Sequence, residues 1–270
     1  MGLIGGFFLF AGNSLSATGE PGTSACAVVA HRGFSHVAPE NTLAAVRKAV
    51  EVGADGCEFD VYRCKSGELV LFHDKELERT TSGFGKIVET DFDVLQKLDA
   101  GSWKDAVYCG ERIPELRDAL QLLKSSGCRA VIEIKTDGIT EQVLKAVQAE
   151  DMSDQVAIIA FSSDVIRDVR SHAPNLSCAW LYSNTKLKGT AEQKAALIAT
   201  KAHACNATAV NLNQQMLDEA LIAALHEQGF SVWTWTVDDP SRMQQLRAWG
   251  VDVLTTNRPD LALSVQAGAE

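Results

Sequence analysis

The chain has 270 residues, of which 46% are hydrophobic and 22% charged, and its formal net charge is −10 at pH 7. That length and hydrophobic content suffice for one sizeable core, and a single α/β barrel commonly runs to about 250 residues. Because the chain is acidic and contains no run of Lys and Arg, we expect no nucleic-acid partner; an anionic substrate would have to be held by a few placed cations or by a metal ion.

The amino-terminal segment, residues 1–25, is predicted to be a leader that is disordered or weakly signal-like. Residues 3–11 form an apolar run followed by small residues, as in an export signal, but no basic residue precedes the run, since Arg32 is the first in the chain. The run is too short to span a bilayer, so stable membrane insertion is not expected. Seven cysteines without a C-x-x-C pair are typical of reduced core residues and favour a cytoplasmic location, with export as the alternative if the leader acts as a signal.

Apolar segments that are typical of strands alternate with helical patterns along the rest of the chain. The predicted strands cover residues 26–31, 56–62, 129–135, 156–161, 176–182, 207–213, 230–237 and 251–257. Helical patterns lie between most of them, and those at 42–54, 115–127, 218–229 and 241–250 carry a glycine near their ends. Eight βα units in about 250 residues predict a (β/α)₈ TIM barrel with its active site at the C-terminal ends of the strands. A doubly wound sheet is the alternative fold.

One further apolar segment, residues 68–74, interrupts this alternation because only "RCKSG" separates it from the preceding strand. A parallel crossover needs about a dozen residues or more, so this strand should fold back as a hairpin around Ser66 and Gly67. That pairing brings His73 near the level of Glu58 and Asp60. Residues 75–113 have weak periodicity and are too long for an ordinary loop, so we predict a small cap inserted over the C-terminal mouth of a single domain that spans residues 26–265.

Five charged or titratable residues are placed to face one pocket. His31 ends the first strand, Glu58 and Asp60 lie two apart on one face of the second, and Glu133 and Lys135 repeat that spacing on the next. Three carboxylates converging at ~4 Å would repel by about 4 kcal/mol per pair at an effective dielectric constant of ~20. A divalent cation is the simplest compensation, and oxygen ligands favour Mg²⁺ or Ca²⁺ over zinc.

Each of these residues also has a structural interpretation. A Glu-x-Asp pair on a strand is often a solvated or ion-paired surface, but here the alternating neighbours are the apolar residues Cys57, Phe59 and Val61. The apolar face therefore packs outward against helices, and the inward face carries the acids. A single histidine is more often structural, and that role is assigned to His36, His172, His203 and His226. His31 and His73 differ because both end apolar strands near the acidic face.

Several short motifs occur in a fixed order along the chain. They are His-Arg-Gly at 31–33, Pro-Glu-Asn-Thr at 39–42, Gly-Ala-Asp at 53–55, Glu-Phe-Asp-Val at 58–61, His-Asp at 73–74, Arg-Thr at 79–80, Ile-Glu-Ile-Lys at 132–135, Thr-Trp-Thr-Val at 234–237 and "GVDVLTTNRPD" at 250–260. In this order, and over about residues 27–262, the chain resembles the glycerophosphodiester phosphodiesterase family.

The resemblance implies a (β/α)₈ barrel with a short insertion that binds Mg²⁺ or Ca²⁺ and hydrolyses glycerophosphodiesters to sn-glycerol 3-phosphate and an alcohol. Carried over by position, it implies an acid/base pair at His31 and His73, metal ligands at Glu58, Asp60 and Glu133, phosphate contacts from Arg32 and Lys135, and an aromatic wall at Trp235. It also implies attack by the substrate's own glycerol 2-hydroxyl, since the motifs contain no evident serine or cysteine nucleophile.

The chain departs from the family's usual pattern at two positions. Asp238 follows Trp-Thr-Val where the family often has Asn, and Asn257 stands where the family often has Asp. Both positions lie away from the predicted metal ligands, so we expect them to affect substrate fit more than chemistry.

Three other functions remain open at this point. A phosphodiesterase of the lysophospholipase D type would act on lysophospholipids and use the apolar residues 5–12 and the cap as a lipid-facing surface, although the chain lacks a basic patch. A metal-dependent sugar isomerase would also use a barrel and carboxylates, but it would not need Arg32 and Lys135 to hold phosphate. A non-catalytic binding module would have no need of both His31 and His73.

Overall fold

The computed structural model of the protein describes residues 26–267, so the predicted leader lies outside the described residues. The strands are β1 (Ala27–Ala30), β2 (Gly56–Arg63), β3 (Leu69–Leu71), β4 (Arg129–Ile134), β5 (Val156–Ala160), β6 (Ser177–Tyr182), β7 (Ala209–Asn213), β8 (Ser231–Trp235) and β9 (Val253–Thr256). All except β3 pair in parallel, and the pairing of β1 with both β2 and β9 closes the sheet. The predicted eight-stranded barrel is therefore confirmed, and the doubly wound alternative is wrong.

Helices lie between the strands along the chain and after β9. They are α1 (Leu43–Glu51), α2 (Phe92–Leu95), α3 (Leu116–Leu123), α4 (Thr140–Ala149), α5 (Ser163–His172), α6 (Ala191–Ala204), α7 (Glu219–Glu227), α8 (Pro240–Ala248) and α9 (Pro259–Ala267). The start of α1 is fixed by Thr42, whose hydroxyl accepts a hydrogen bond from the Ala45 amide at 3.3 Å and donates one to the Pro39 carbonyl at 2.7 Å. Among the described residues, no helix is long and apolar enough to cross a membrane.

Side chains of the barrel strands alternate between two cores. The inward cluster consists of Val29, Val131, Ala157, Ile159, Ala179, Leu181, Ala209, Trp233 and Val253. The outward side chains pack under the helices, as the apolar residues Cys57, Phe59 and Val61 of β2 do. Six of the seven cysteines are buried as predicted, whereas Cys109 is exposed. The inward-facing acids of β2 and β4 lie toward the C-terminal mouth of the barrel. Apolar residues fill the barrel interior below them.

The hairpin predicted after β2 is present. β3 pairs antiparallel with β2, with Val61 opposite Leu71, and the amide of Phe72 continues the ladder with a 3.0 Å hydrogen bond to the Asp60 carbonyl. His73 therefore follows at the level of the acidic face of β2.

The segment between β3 and α3 contains α2 and shares an apolar cluster with the hairpin. The cluster consists of Tyr62, Cys64, Val70, Phe72, Leu77, Ile87, Leu95, Ala100 and Ile113. Lys104 Nζ and the Tyr108 hydroxyl each donate a 2.8 Å hydrogen bond to the loop after β1, at the carbonyls of Ser35 and Val37. This insertion therefore rests beside the C-terminal end of β1.

Candidate active site at the barrel mouth

The turn after β1 directs a backbone N–H group toward the acidic face of β2. Arg32 and Gly33 both have left-handed backbone angles, with φ of 57° and 78°. A Cβ atom on Gly33 would lie 2.5 Å from the carbonyl carbon of Ala45, so only glycine lets the turn approach α1 this closely. As a result, the Arg32 amide donates a 2.8 Å hydrogen bond to Oε2 of Glu58.

Three carboxylates converge at the mouth. Asp60 is paired in register with Glu133 on the neighbouring strand, and Glu58 lies two residues before Asp60 on the same face. One oxygen from each of the three lies within 4.8 Å of the others, and the Glu58 and Asp60 residues are only 2% and 1% exposed. A buried set of carboxylate oxygens with this spacing fits a hard divalent cation such as Mg²⁺ or Ca²⁺.

Two cations accompany the carboxylates. Lys135 Nζ donates hydrogen bonds to Asp60 Oδ1 at 3.0 Å and to Glu133 Oε1 at 2.7 Å. Arg32 Nε lies 3.5 Å from Asp60 Oδ2. Three carboxylates and two cationic side chains give this cluster a formal net charge of −1. A bound divalent cation would change the net charge to +1, which a phosphodiester monoanion would balance.

The pKa values of the carboxylates reflect this shortage. Burial, together with the charges of Asp60 and Glu133, raises the pKa of Glu58 well above its ordinary value. Burial and the charge of Asp60 raise the pKa of Glu133 to about 7. Burial also opposes ionisation of Asp60, but the charges of Lys135 and Arg32 outweigh it and lower the Asp60 pKa. Protons therefore compete with any cation for this cluster.

Asn41 fixes the position of Asp60 through two hydrogen bonds, a role that the sequence motif did not reveal. Its side-chain amide donates to Asp60 Oδ2 at 2.8 Å, and its side-chain oxygen accepts from the Asp60 amide at 3.0 Å. The Asn41 backbone is left-handed, with φ of 58°, which asparagine tolerates better than most residues. An asparagine between a proline and a helix cap was the available signal.

His31 lies at the C-terminal end of β1. Its Nδ1 is 2.7 Å from Oδ1 of Asn257, and its Nε2 is 4.0 Å from Oε2 of Glu58. Burial, assisted by the neighbouring charge of Arg32, lowers the pKa of His31 to about 4. The imidazole is therefore neutral near pH 7 and able to accept a proton.

His73 is connected to Arg32 by a chain of ion pairs. Its Nδ1 is 2.7 Å from Asp74 Oδ1, and Asp74 also accepts a hydrogen bond from Arg79. Arg79 in turn donates to both oxygens of Glu40, at 2.8 and 2.9 Å, and Glu40 accepts from Arg32 at 2.6 Å. Glu40 and Arg79 were part of the sequence motifs, but their joint role in tying the insertion to the β1 turn was not predicted.

These residues surround a small cavity of about 70 Å³, which shares lining residues with a wider groove of about 750 Å³. His31 and Trp235 line the cavity, and His73 and Lys135 line both spaces. The rest of the groove is lined by Tyr62, Asp74, Lys75, Glu76, Glu78, Arg79, Glu133, Ile134, Phe161 and Ser162. The structure thus brings together all eight of the predicted site residues, and only His73 of the two histidines reaches the groove.

Trp235 on β8 and Asn211 on β7 also line the small cavity. The Trp235 ring meets Phe161 edge to face, with ring centroids 5.6 Å apart, and its Nε1 donates to the Asn211 carbonyl at 3.3 Å. Asn211 is 1% exposed, and its side-chain oxygen has no hydrogen-bond partner among residues 26–267. No sequence pattern distinguishes Asn211, since a single polar residue within a strand is an ordinary observation.

The two departures from the family pattern lie in contact with each other. Asn257 Nδ2 donates to Asp238 Oδ2 at 2.6 Å, while Asn257 Oδ1 faces His31. These positions were expected to affect substrate fit more than chemistry; Asn257, however, contacts a candidate catalytic histidine, His31.

Comparison with known proteins agrees with this geometry. The sequence pattern of the glycerophosphoryl diester phosphodiesterase family matches residues 31–261. A glycerophosphodiester phosphodiesterase from Caldanaerobacter subterraneus subsp. tengcongensis is 33% identical over 243 residues, which are 88% of this chain and 96% of that protein.

Solved structures are also similar to this chain. A phosphodiesterase from Oleispira antarctica in complex with the product sn-glycerol-3-phosphate has a TM-score of 0.80 and 27% identity, covering 89% of this chain and 96% of that one. A glycerophosphodiester phosphodiesterase from Agrobacterium tumefaciens has a TM-score of 0.76 and 27% identity, covering 88% of this chain and 99% of that one. With the family pattern spanning nearly the whole barrel, the chain belongs to the glycerophosphoryl diester phosphodiesterase family.

Proposed function

We propose that the protein hydrolyses glycerophosphodiesters to sn-glycerol 3-phosphate and an alcohol, with His31 and His73 as the proton-transfer groups. The observation that carries this proposal is the convergence of two histidines, three carboxylates and two cations on one small cavity. The family membership and the product bound by the Oleispira antarctica phosphodiesterase support it.

Glu58, Asp60 and Glu133 would hold Mg²⁺ or Ca²⁺, because their oxygens are close together, buried and short of positive charge. When bound, the cation would supply charge neutralisation for the phosphodiester. Arg32 and Lys135 flank the same carboxylates and would contact the phosphate oxygens by charge-assisted hydrogen bonds.

The two ends of the substrate would occupy different spaces. The cavity of about 70 Å³ suits the small glycerol moiety, with Trp235 as its wall and the side-chain oxygen of Asn211, unpaired among the described residues, as an acceptor for a glycerol hydroxyl. The leaving alcohol would lie in the groove of about 750 Å³. Glu76 and Glu78 on the groove's border favour a polar alcohol over the acyl chain of a lysophospholipid.

This placement assigns a role to each histidine. His31, neutral and facing the cavity, would remove the proton from the glycerol 2-hydroxyl as its oxygen attacks phosphorus. His73, which borders the groove, would protonate the departing alcohol as the bond from phosphorus to that oxygen breaks. The product of this step is a five-membered cyclic phosphate. Water would then open the ring, with His73 taking a proton from water and His31 returning one to the 2-oxygen.

Asp74 would orient the His73 ring, since its Oδ1 lies 2.7 Å from Nδ1. The tethered 2-hydroxyl has an advantage over free water because an oriented intramolecular nucleophile can save several kcal/mol, up to ~7–11 kcal/mol in favourable cases.

The test is a panel of substrates presented to the purified protein. Glycerophosphocholine and glycerophosphoethanolamine should release sn-glycerol 3-phosphate, and lysophosphatidylcholine should be cleaved far more slowly. Release of choline from lysophosphatidylcholine at the rate seen with glycerophosphocholine would favour the lysophospholipase D function instead. No release of glycerol 3-phosphate from any glycerophosphodiester would contradict the proposal.

A further inference from the structure

The side chain of Asn257 lies between His31 and the carboxylate of Asp238. Its Oδ1 is 2.7 Å from His31 Nδ1 and accepts a 2.8 Å hydrogen bond from the Ser35 hydroxyl. Its Nδ2 is 2.6 Å from Asp238 Oδ2. The three side chains come from the C-terminal ends of β1, β8 and β9, so they meet at the barrel mouth.

The carboxylate of Asp238 determines the orientation of the Asn257 side-chain amide. Carboxylate oxygens only accept hydrogen bonds, so the amide NH₂ must face Asp238 and the amide oxygen must face His31. Asp238 is itself held in place, because its Oδ1 accepts from the Thr256 hydroxyl at 2.9 Å and from the Asn257 backbone amide at 2.8 Å.

An acceptor opposite Nδ1 requires a proton on Nδ1 of the neutral ring, which leaves the lone pair on Nε2. We propose that Asp238 and Asn257 are positioning residues that fix His31 in the Nδ1–H tautomer with Nε2 free to accept a proton. The catalytic consequence rests on the proposed role of His31 as a base, whereas the tautomer itself follows from the hydrogen bonds alone.

A single substitution should invert the tautomer. In Asp238→Asn, the new side-chain oxygen keeps the bonds from the Thr256 hydroxyl and the Asn257 backbone amide, so its NH₂ group faces the Asn257 side chain. Asn257 must then turn its oxygen toward residue 238 and its NH₂ group toward His31. A donor opposite Nδ1 selects the Nε2–H tautomer, and the ring can no longer accept a proton at Nε2.

The exchange of both residues should restore the original arrangement. In the double variant Asp238→Asn/Asn257→Asp, the amide at 238 donates to the carboxylate at 257, and that carboxylate accepts from His31 Nδ1. The hydrogen bonds that link residues 31, 257 and 238 are then preserved, with the amide and the carboxylate interchanged.

The experiment measures the His31 tautomer by long-range ¹H–¹⁵N correlation NMR of histidine-labelled full-length protein, with His31→Gln assigning the signals. We expect Nδ1–H in the wild type, Nε2–H in Asp238→Asn and Nδ1–H again in the double variant. Turnover of glycerophosphocholine should fall by about 10- to 100-fold in Asp238→Asn, as for other partners that orient a functional histidine, with KM nearly unchanged and activity recovered in the double variant.

Asp239→Asn is the matched control. Asp239 caps α8 by accepting from the Arg242 amide at 2.8 Å, a bond that asparagine also makes, so neither tautomer nor turnover should change. If Asp238→Asn fails to fold, Asn257→Leu replaces it and should give a mixture of tautomers with reduced turnover.

An unchanged Nδ1–H signal in Asp238→Asn, or in Asn257→Leu where that variant stands in, would overturn the inference. So would an Nε2–H signal in the wild type. Because the tautomer is read without substrate, a wild type that fails to cleave glycerophosphodiesters would contradict the proposed function while the NMR result still decides this inference.

Discussion

His31 and His73 reach the cavity from different strands and have different surroundings. His31 is buried with the neutral amide of Asn257 at Nδ1, whereas His73 borders the groove with the carboxylate of Asp74 at Nδ1. These different surroundings support the proposed roles of His31 as the base and His73 as the acid.

Alanine substitution of either histidine should lower kcat for glycerophosphocholine by ~10²–10⁴-fold, the usual contribution of a general acid or base. The two variants should differ on glycerophospho-p-nitrophenol, because p-nitrophenolate leaves without a proton. On this substrate, release of p-nitrophenol by His73→Ala should approach the wild-type rate, while His31→Ala stays impaired.

His172→Ala and His226→Ala are the controls for these variants. His172 hydrogen-bonds to the Asp168 carbonyl and Ser171 of its own helix, and His226 pairs with Asp252 at 3.0 Å; neither lines the cavity or the groove, so both should retain wild-type turnover. An equal loss by His73→Ala on both substrates would contradict its role as the acid.

Asn211 buries an oxygen that the described residues leave unpaired. Asn211→Leu, which is nearly isosteric, should raise KM for glycerophosphocholine about tenfold, the effect of one lost hydrogen bond of ~1.4 kcal/mol. The thermal midpoint should not fall, because a buried unpaired acceptor is removed. The exposed Asn175→Leu is the control. An unchanged KM in Asn211→Leu would show that the substrate makes no bond there.

At the scale of elements, the turn after β1 depends on Gly33. Gly33→Ala should destabilise the protein by ~3 kcal/mol or more, because the added methyl group would meet the Ala45 backbone at 2.5 Å in a left-handed conformation. Gly53→Ala has a similar φ of 82° but no atom within 4 Å of the new Cβ, so it should cost only ~1 kcal/mol. Urea unfolding measures both, and equal losses would show that the contact with α1 is unimportant.

The insertion is tied to the β1 turn through Glu40, and this tie should depend on pH. Burial opposes ionisation of Glu40, but the hydrogen bonds from Arg79 and the charge of Arg32 outweigh it, and its pKa falls from an ordinary 4.5 to about 2. A group with a lowered pKa stabilises the fold above its unfolded pKa, and that stabilisation is lost as the pH falls through its folded pKa.

Glu40→Gln should therefore lower the free energy of unfolding at pH 7 by up to ~3 kcal/mol, with the difference from wild type shrinking between pH 4.5 and pH 2. Urea unfolding across this range provides the measurement. Glu51→Gln, which removes an exposed pair with Lys48, should behave like wild type. A difference that does not change with pH would contradict the account of Glu40.

At the scale of the whole molecule, local patterns predicted the barrel and most of its mouth. Alternation of Glu58 and Asp60 with apolar neighbours gave the direction of β2, and the short "RCKSG" link gave the hairpin that carries His73. These features depend on residues close in sequence, so periodicity and loop length suffice to recognise them.

Contacts between distant residues were beyond such patterns. Glu40 and Arg79 lie 39 positions apart, and His31 and Asn257 lie 226 apart, so no local spacing reveals that they touch. The pairing of β1 with β9 brings His31 and Asn257 together, and the fold of the insertion brings Arg79 to Glu40. Asn211 was missed because the lack of a hydrogen-bond partner is a property of the folded interior only.

The net charge at the barrel mouth depends on side chains from several strands. Glu58, Asp60 and Glu133 exceed the neighbouring cations Arg32 and Lys135 by one charge, and the barrel below them is filled with apolar side chains. A bound divalent cation is the compensation that the proposed chemistry requires. Removing it should therefore stop turnover.

The most direct test of this chemistry is phosphorus-31 NMR of the purified protein with glycerophosphocholine and with its 2-deoxy analogue, in Mg²⁺ or Ca²⁺ and after exhaustive EDTA treatment. We predict that the diester signal is replaced by glycerol 3-phosphate by way of a transient cyclic phosphate, that EDTA stops the reaction until the cation is restored, and that the 2-deoxy analogue binds but is not cleaved. Hydrolysis of the 2-deoxy analogue at an ordinary rate, or full activity in protein shown to be free of metal, would contradict the account.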